Sequence, residues 1–165
     1  HVMALYRLWW VPRGLPATEG GYVRYPLDDL LGIVALESHR NECLVIGEDL
    51  GTVPPEMTLA MNARGVYHYK VLLFEKTPQG AFRPPGEWSR HALGAVSTHD
   101  LPTAAGFLRG EHVRARAELG LLDDPVAEEK KAAADRAELV ALLRDNGFAG
   151  ETDEELVVAM HALLA

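Results

Sequence analysis

The run from Cys43 to Glu56, Cys-Leu-Val-Ile-Gly-Glu-Asp-Leu-Gly-Thr-Val-Pro-Pro-Glu, limits the possible folds more than any other part of the chain. Cys43 to Ile46 is a short apolar run, which predicts a strand buried on both faces of a parallel sheet. Glu48 and Asp49 follow between glycines, and Pro54 and Pro55 then open a helix, because proline's missing N–H costs nothing in a first helical turn. Ala95 to Pro102, Ala-Val-Ser-Thr-His-Asp-Leu-Pro, repeats the build: strand, polar cluster, proline-opened helix. Strand and helix alternating in this way imply a parallel sheet with right-handed crossovers. Ligands of such folds bind outside the carboxyl ends of the strands, where Glu48, Asp49, His99 and Asp100 would stand. An isolated Glu-Asp pair in a turn is ordinarily just solvated; a second polar turn of the same kind argues for a site.

The remaining elements follow from punctuation and periodicity. His1 to Trp10 reads as a strand end or short helix with Leu5, Leu8 and one tryptophan inward, and Leu15 to Arg24 as a loop most flexible at Gly20-Gly21. Pro26 opens a helix from Leu27 to about His39, and a second runs from about Pro55 to Arg64, ended by Gly65. Val66 to Phe74 is β-branched and aromatic, hence a strand; Trp88 to Leu93 suits one helical turn before the strand at Ala95. Beyond Phe107 the composition turns helical, with Ala115 to Asp145 broken at Gly120 and Pro125. Asn146-Gly147 stops that helix, and Thr152-Asp-Glu-Glu155 is a capping box opening the last one.

A net charge of −8 argues against nucleic acid, since phosphate binding needs a basic face, but leaves a neutral ligand such as a sugar open. One cysteine, Cys43, allows neither a disulfide framework nor a cysteine metal site and suits a reducing, cytoplasmic setting. No apolar run approaches the roughly 18 residues of a membrane span, no signal peptide is visible, and no membrane partner is expected.

Five pieces, taken in order, resemble one family: Arg7-Leu-Trp-Trp10, Tyr22-Val-Arg-Tyr-Pro26, Val45-Ile-Gly-Glu-Asp-Leu-Gly-Thr-Val-Pro54, Tyr69-Lys-Val-Leu72 and Ser97-Thr-His-Asp-Leu-Pro-Thr103. The chain is similar to 4-α-glucanotransferases, also called amylomaltases or disproportionating enzymes, from His1 to about Phe107 and more weakly in the helical tail. Gly-Glu-Asp-Leu-Gly followed some fifty residues later by Thr-His-Asp is the specific combination.

The resemblance implies an α/β fold: part of a (β/α)8 TIM barrel of about three parallel strands with helices, followed by a helical segment. Residues 1–110 would be partial barrel, and 111–165 a helical segment of that barrel or an inserted subdomain. It also implies transfer of α-1,4-glucan segments with retention of configuration, on maltooligosaccharides or starch- or glycogen-derived glucan, with no cofactor and no metal. By resemblance Glu48 matches the general acid/base, and Asp100 the carboxylate that holds the sugar hydroxyls and stabilises the transition state. His99 matches the histidine beside it, and His1 follows the nucleophilic aspartate of an Arg-Ile-Asp-His motif. Retaining chemistry needs a carboxylate nucleophile and a protonated carboxyl flanking an oxocarbenium-like transition state. With that nucleophile placed just before His1, the chain is expected to be a fragment inactive alone, and to self-associate through exposed strand edges.

Other residues carry two readings. Trp9 and Trp10 either stack on sugars or anchor a core, and Tyr22 and Tyr25 either line a glucan groove or pack a loop on its neighbour. His68 reads as a core or ladder histidine. Asp49 should point away from Glu48 and serve structure, for instance by capping the next helix. Rival site and function readings are a metal centre of Glu48, Asp49, His99 and Asp100, an α-amylase-type hydrolase, and a non-catalytic glucan-binding or helical interaction module.

Overall fold

Segments His1–Tyr69 and Ser89–Leu93 pack as one unit, and Lys70–Trp88 with Gly94–Ala165 as a second, in a computed structural model that describes residues 1–165. In the first unit a single turn, α1 (Met3–Tyr6), leads into β1 (Arg7–Trp10), which pairs antiparallel with β2 (Gly21–Arg24). The register sets Trp9 opposite Tyr22 and Arg7 opposite Arg24. α2 (Leu27–Arg40) carries Asp28 and Asp29 in its first turn and His39 and Arg40 in its last, each charge complementing the helix dipole. α3 (Pro55–Ala63) starts with proline at its first position, as the double proline predicts.

The core of this unit is built on methionine. Met57 and Met61 lie one turn apart on α3, fully buried, against Leu31 of α2 and Val2 and Tyr6 of the N-terminal turn. Each such side chain contributes about 1.5–3 kcal/mol by leaving water. Leu27, Leu31 and Val34 form the inward stripe of α2, while Ile33 and Leu36 face outward. Beyond α3, Val66 closes the core, and β3 (His68–Val71) pairs with β4 (Ala92–Ala95). In the first unit the His68 N–H donates to the His91 carbonyl, and in the second the Leu72 N–H donates to Ala95, so the strands run the same way.

Several sequence expectations change here. Cys43 to Ile46 is not a buried strand: Cys43, Leu44 and Ile46 are exposed, and only a parallel bridge from Ile46 to Tyr67 is made. The backbone instead folds onto the end of α2, where the Cys43 N–H donates to the Ser38 carbonyl and the Ser38 hydroxyl to that of Cys43. Leu8, Trp9 and Trp10 do not pack inward, because the hairpin pairs edge to edge and its side chains stay largely in solvent. The expected loop at Leu15–Arg24 contains β2, preceded by a short 3-10 turn at Ala17–Glu19. The strand from Val66 is shorter than its apolar run, since Val66 still bonds back to Met61 and the chain turns at Phe74 onto Val71. Trp88–Leu93 forms no helical turn; a 3-10 turn at Pro85–Glu87 precedes it and Ala92 already belongs to β4.

In the second unit Val71 and Leu72 lead to a small hairpin, bridged between Lys76 and Phe82 and turned at Gly80, whose φ of 94° favours glycine. α4 (Ala104–Leu108) is capped by Thr103, whose hydroxyl accepts the Gly106 N–H at 3.0 Å. α5 (Glu111–Glu118) ends at Gly120, and α6 (Pro125–Asp145) starts at Asp124, whose carboxylate accepts the Ala127 N–H. α7 (Asp153–Leu164) opens with the predicted capping box, Thr152 and Glu155 each accepting the other's backbone N–H. Leu139 and Leu143 of α6 and Leu156 and Met160 of α7 are buried with Phe107 and Val113. α6 reaches this core only near its end: its first three turns are exposed or half-buried, held by Lys76–Asp135 at 2.6 Å and Arg136–Asp153 at 2.7 Å. No helix of the chain is long and apolar enough to cross a membrane.

Candidate active site

In the first unit Glu48 stands two residues after the parallel bridge at Ile46, and the chain is tied to Tyr67 before it and to β3 after it. Before it, the Tyr67 N–H donates to Val45 and the Gly47 N–H to Tyr67. After it, Asp49 accepts the Tyr69 N–H on one carboxylate oxygen at 3.0 Å and meets His68 Nδ1 with the other at 2.7 Å. Gly47 is required by space: a Cβ there would stand 2.8 Å from Met61 Cε and closer still to Val2.

Glu48 itself points elsewhere. Its Oε1 accepts the Leu50 N–H at 2.7 Å and its Oε2 lies 2.6 Å from His1 Nδ1, with about 30% of the side chain exposed. The Val2 N–H donates to the Glu48 carbonyl, which fixes the N-terminal residue beside the carboxylate. The structure thus brings Glu48 and His1 together at a solvent-facing carboxyl. It separates Asp49 from Glu48 in direction, so the metal reading loses the convergence of its first pair. Asp49 is structural as expected, but it clasps β3 rather than capping α3.

Tyr22 and Tyr25 contact the tryptophans of β1, not His1 or Glu48. The Trp10 indole N–H donates to the Tyr25 hydroxyl at 3.0 Å. Trp9 meets Tyr22 edge-on with ring centroids 4.9 Å apart, and the Arg7 guanidinium covers the Tyr22 ring at 4.2 Å. A Cβ on Gly20 would collide with the Trp9 indole, so that glycine makes room for the ring rather than merely loosening a loop. Both tryptophans remain about half exposed, against a core-anchoring role.

In the second unit His99 and Asp100 pair with each other and are largely exposed, on a loop closed by the Ser97 hydroxyl donating to the Pro102 carbonyl at 2.7 Å. Asp100 lines a cleft of about 600 Å³ together with Thr103, Glu111, His112 and Arg116. His112 stacks flat on Phe107, and burial, then the charge of Arg116, lowers its pKa below the ordinary imidazole range. Sequence reading passed over His112 because a lone histidine in a helical stretch carries no motif. The Asp49–His68 contact was hidden for another reason: its partners are 19 residues apart.

A crystal structure of amylomaltase from Corynebacterium glutamicum superposes with a TM-score of 0.88 at 36% identity, covering 99% of this chain and 25% of that one. The chain belongs to the 4-alpha-glucanotransferase family, whose model matches residues 1–165. It is 45% identical over 173 residues to a 4-alpha-glucanotransferase of Mycobacterium tuberculosis, and 40% identical over 168 residues to one of Haemophilus influenzae. Each alignment covers 99% of this chain and 24% of the relative, so the chain spans about a quarter of the length of the curated relatives it matches.

Proposed function

We propose that these residues form part of the catalytic (β/α)8 barrel of a cytoplasmic enzyme that moves α-1,4-glucan segments between maltooligosaccharides by a retaining double displacement. Residues 1–110 supply barrel strands and helices, and residues 111–165 a helical segment. Glu48 is the general acid/base: it protonates the departing glycosidic oxygen, then takes the proton of the incoming 4-hydroxyl. Asp100 holds hydroxyls of the reacting ring and stabilises its positive charge, with His99 on the same sugar. His1, Tyr22 and Tyr25 line the glucan path. The nucleophile is assigned to none of the 165 residues.

The observation that supports this reading is the setting of Glu48, a carboxyl anchored by the Leu50 N–H and His1, yet open to solvent, on a chain tied to Tyr67 before it and to β3 after it. In the full-length protein, Glu48→Gln and Asp100→Asn should each lower kcat/KM on maltotriose by about a thousandfold or more. Products should be glucose plus longer chains; glucose and maltose alone would indicate a hydrolase, and binding without turnover a binding module. Full activity of Glu48→Gln would remove the assignment. The isolated 165-residue chain should show no disproportionation and, with Trp9, Trp10, Leu59 and Val158 exposed, should run as a dimer or larger species in light scattering. A sharp monomeric peak would count against that last expectation.

A further inference from the structure

His68 is the most deeply buried polar or charged residue of the chain, at 5% exposure, and the acid/base role proposed for Glu48 does not use it. Its ring is held on both sides. Nδ1 lies 2.7 Å from Asp49 Oδ2, and since a carboxylate only accepts, this nitrogen carries the proton and donates. Nε2 lies 3.0 Å from the Asn62 side-chain amide, at the end of α3; with the proton on Nδ1 this nitrogen accepts, and the amide is oriented with its NH2 donating to it. The His68 backbone N–H is bonded to His91, so neither ring nor strand is free to shift. Asp49, about nine-tenths buried, has its other oxygen on the Tyr69 N–H.

We infer that His68 is a positioning residue for Glu48, acting through Asp49, and this rests on the acid/base reading of Glu48. The backbone hydrogen bonds to Tyr67, the residue before β3, end at Gly47, and on the far side of Glu48 the hold on β3 is the Asp49 side chain. Glu48 therefore spans two fixed points, and its own contacts, the Val2 N–H on its carbonyl and the Leu50 N–H and His1 on its carboxylate, are made from the position those points give it. Without the His68 bond, the buried Asp49 carboxylate keeps the Tyr69 N–H alone, a poor arrangement for a charge away from water. It relaxes toward solvent and carries the Glu48 backbone with it. A shift near 1 Å at a proton-transferring group lowers the chemical step by about a hundredfold while leaving ground-state glucan binding in place.

The two nitrogens of His68 can be replaced separately. His68→Asn puts an amide N–H near the place of Nδ1 and keeps the bond to Asp49 while giving up Asn62. His68→Gln reaches toward the place of Nε2, keeps the Asn62 side and gives up Asp49. Full-length proteins carrying each are assayed on maltotriose, beside Glu48→Gln, with thermal midpoints measured for all. The clasp predicts that His68→Gln loses about 10- to 100-fold in kcat at a KM changed less than about twofold, while His68→Asn stays within about threefold of the parent. A packing role alone predicts the reverse order, because glutamine fills more of the space, with activity following the midpoints; that result overturns the inference. Glu48→Gln inactive while His68→Gln remains fully active also overturns it, and leaves the reading of Glu48 standing. Glu48→Gln fully active removes that reading instead, and the inference falls with it. If His68→Gln does not fold, Asp49→Ser removes the whole clasp, the bonds to His68 and to the Tyr69 N–H together, and is held to the same kcat-against-KM split.

Discussion

Gly47→Ala tests how closely the segment before Glu48 is packed. The backbone at Gly47 lies outside the left-handed region, so alanine meets no conformational penalty and the whole effect is steric. The new methyl would stand 2.8 Å from Met61 Cε, 3.2 Å from Val66 Cγ1 and nearer than either to Val2 Cγ1. Met61 can swing its thioether aside and Val66 needs to yield only a few tenths of an ångström. Val2 cannot, because a β-branched side chain is stiff at χ1 and this one is buried. Overpacking of this kind costs about 1–3 kcal/mol. Val2→Ala alone should cost about 1.5 kcal/mol, at roughly 0.8 per buried methyl-sized group. Combined, the alanine methyl at residue 47 occupies space vacated by Val2, so the double substitution should be less destabilising than the sum by about 1 kcal/mol or more. Urea denaturation of the full-length protein and its three variants reads this from the midpoints at a common slope. A neutral Gly47→Ala, or strict additivity, would refute the assignment of Val2 as the obstacle.

Three further outcomes follow from the second unit. Asp153, hydrogen-bonded by Arg136 and Arg109, and Glu155, bonded by the backbone N–H groups of Glu151 and Thr152, are both held below their ordinary pKa values. Their support of α7 is therefore complete above the usual carboxylate range and is lost as pH falls through the depressed values; the protection of α7 amides relative to their intrinsic exchange rates should fall on acidification, and less steeply in Asp153→Asn. Thr152→Ala removes one half of the capping box and should cost about 1 kcal/mol in thermal or urea unfolding, a loss that Thr152→Ser largely avoids. Leu143→Ala, at a fully buried position, should cost about 2–5 kcal/mol, whereas Leu121→Ala on the surface should change stability by less than about 0.5.

Much of this architecture was legible in the residues because it depends on local signals. Pro26, Pro54-Pro55 and Thr152 mark helix starts, Gly120 and Asn146-Gly147 mark stops, and all sit where backbone chemistry alone decides the conformation. The hairpin was missed because its second strand, Gly21-Tyr-Val-Arg24, begins with a glycine that reads as a breaker, and its pairing partner lies across a loop. The burial of Cys43 to Ile46 was overestimated because an apolar run states what a segment tolerates, not what covers it. Glu48, His99 and Asp100 stand out in the sequence through their motifs, whereas the contacts of His1 with Glu48 and of His68 with Asp49 are ones that no linear pattern encodes.

α6 has an uneven hold on its surroundings, and that shapes its behaviour in time. At 1.5 Å per residue it extends for about 30 Å, but the fully buried leucines belong to its last two turns. A helix anchored at one end opens from the other. Its amides should therefore exchange in a graded series, fast from Val126 to about Lys131 and slow around Leu142, with the ion pairs of Asp135 and Arg136 marking the change of pace. Trypsin, which needs a locally unwound substrate, should reach Lys130 and Lys131 long before Arg144, so that a single early cut reports the breathing of the first three turns while the buried leucines stay in place.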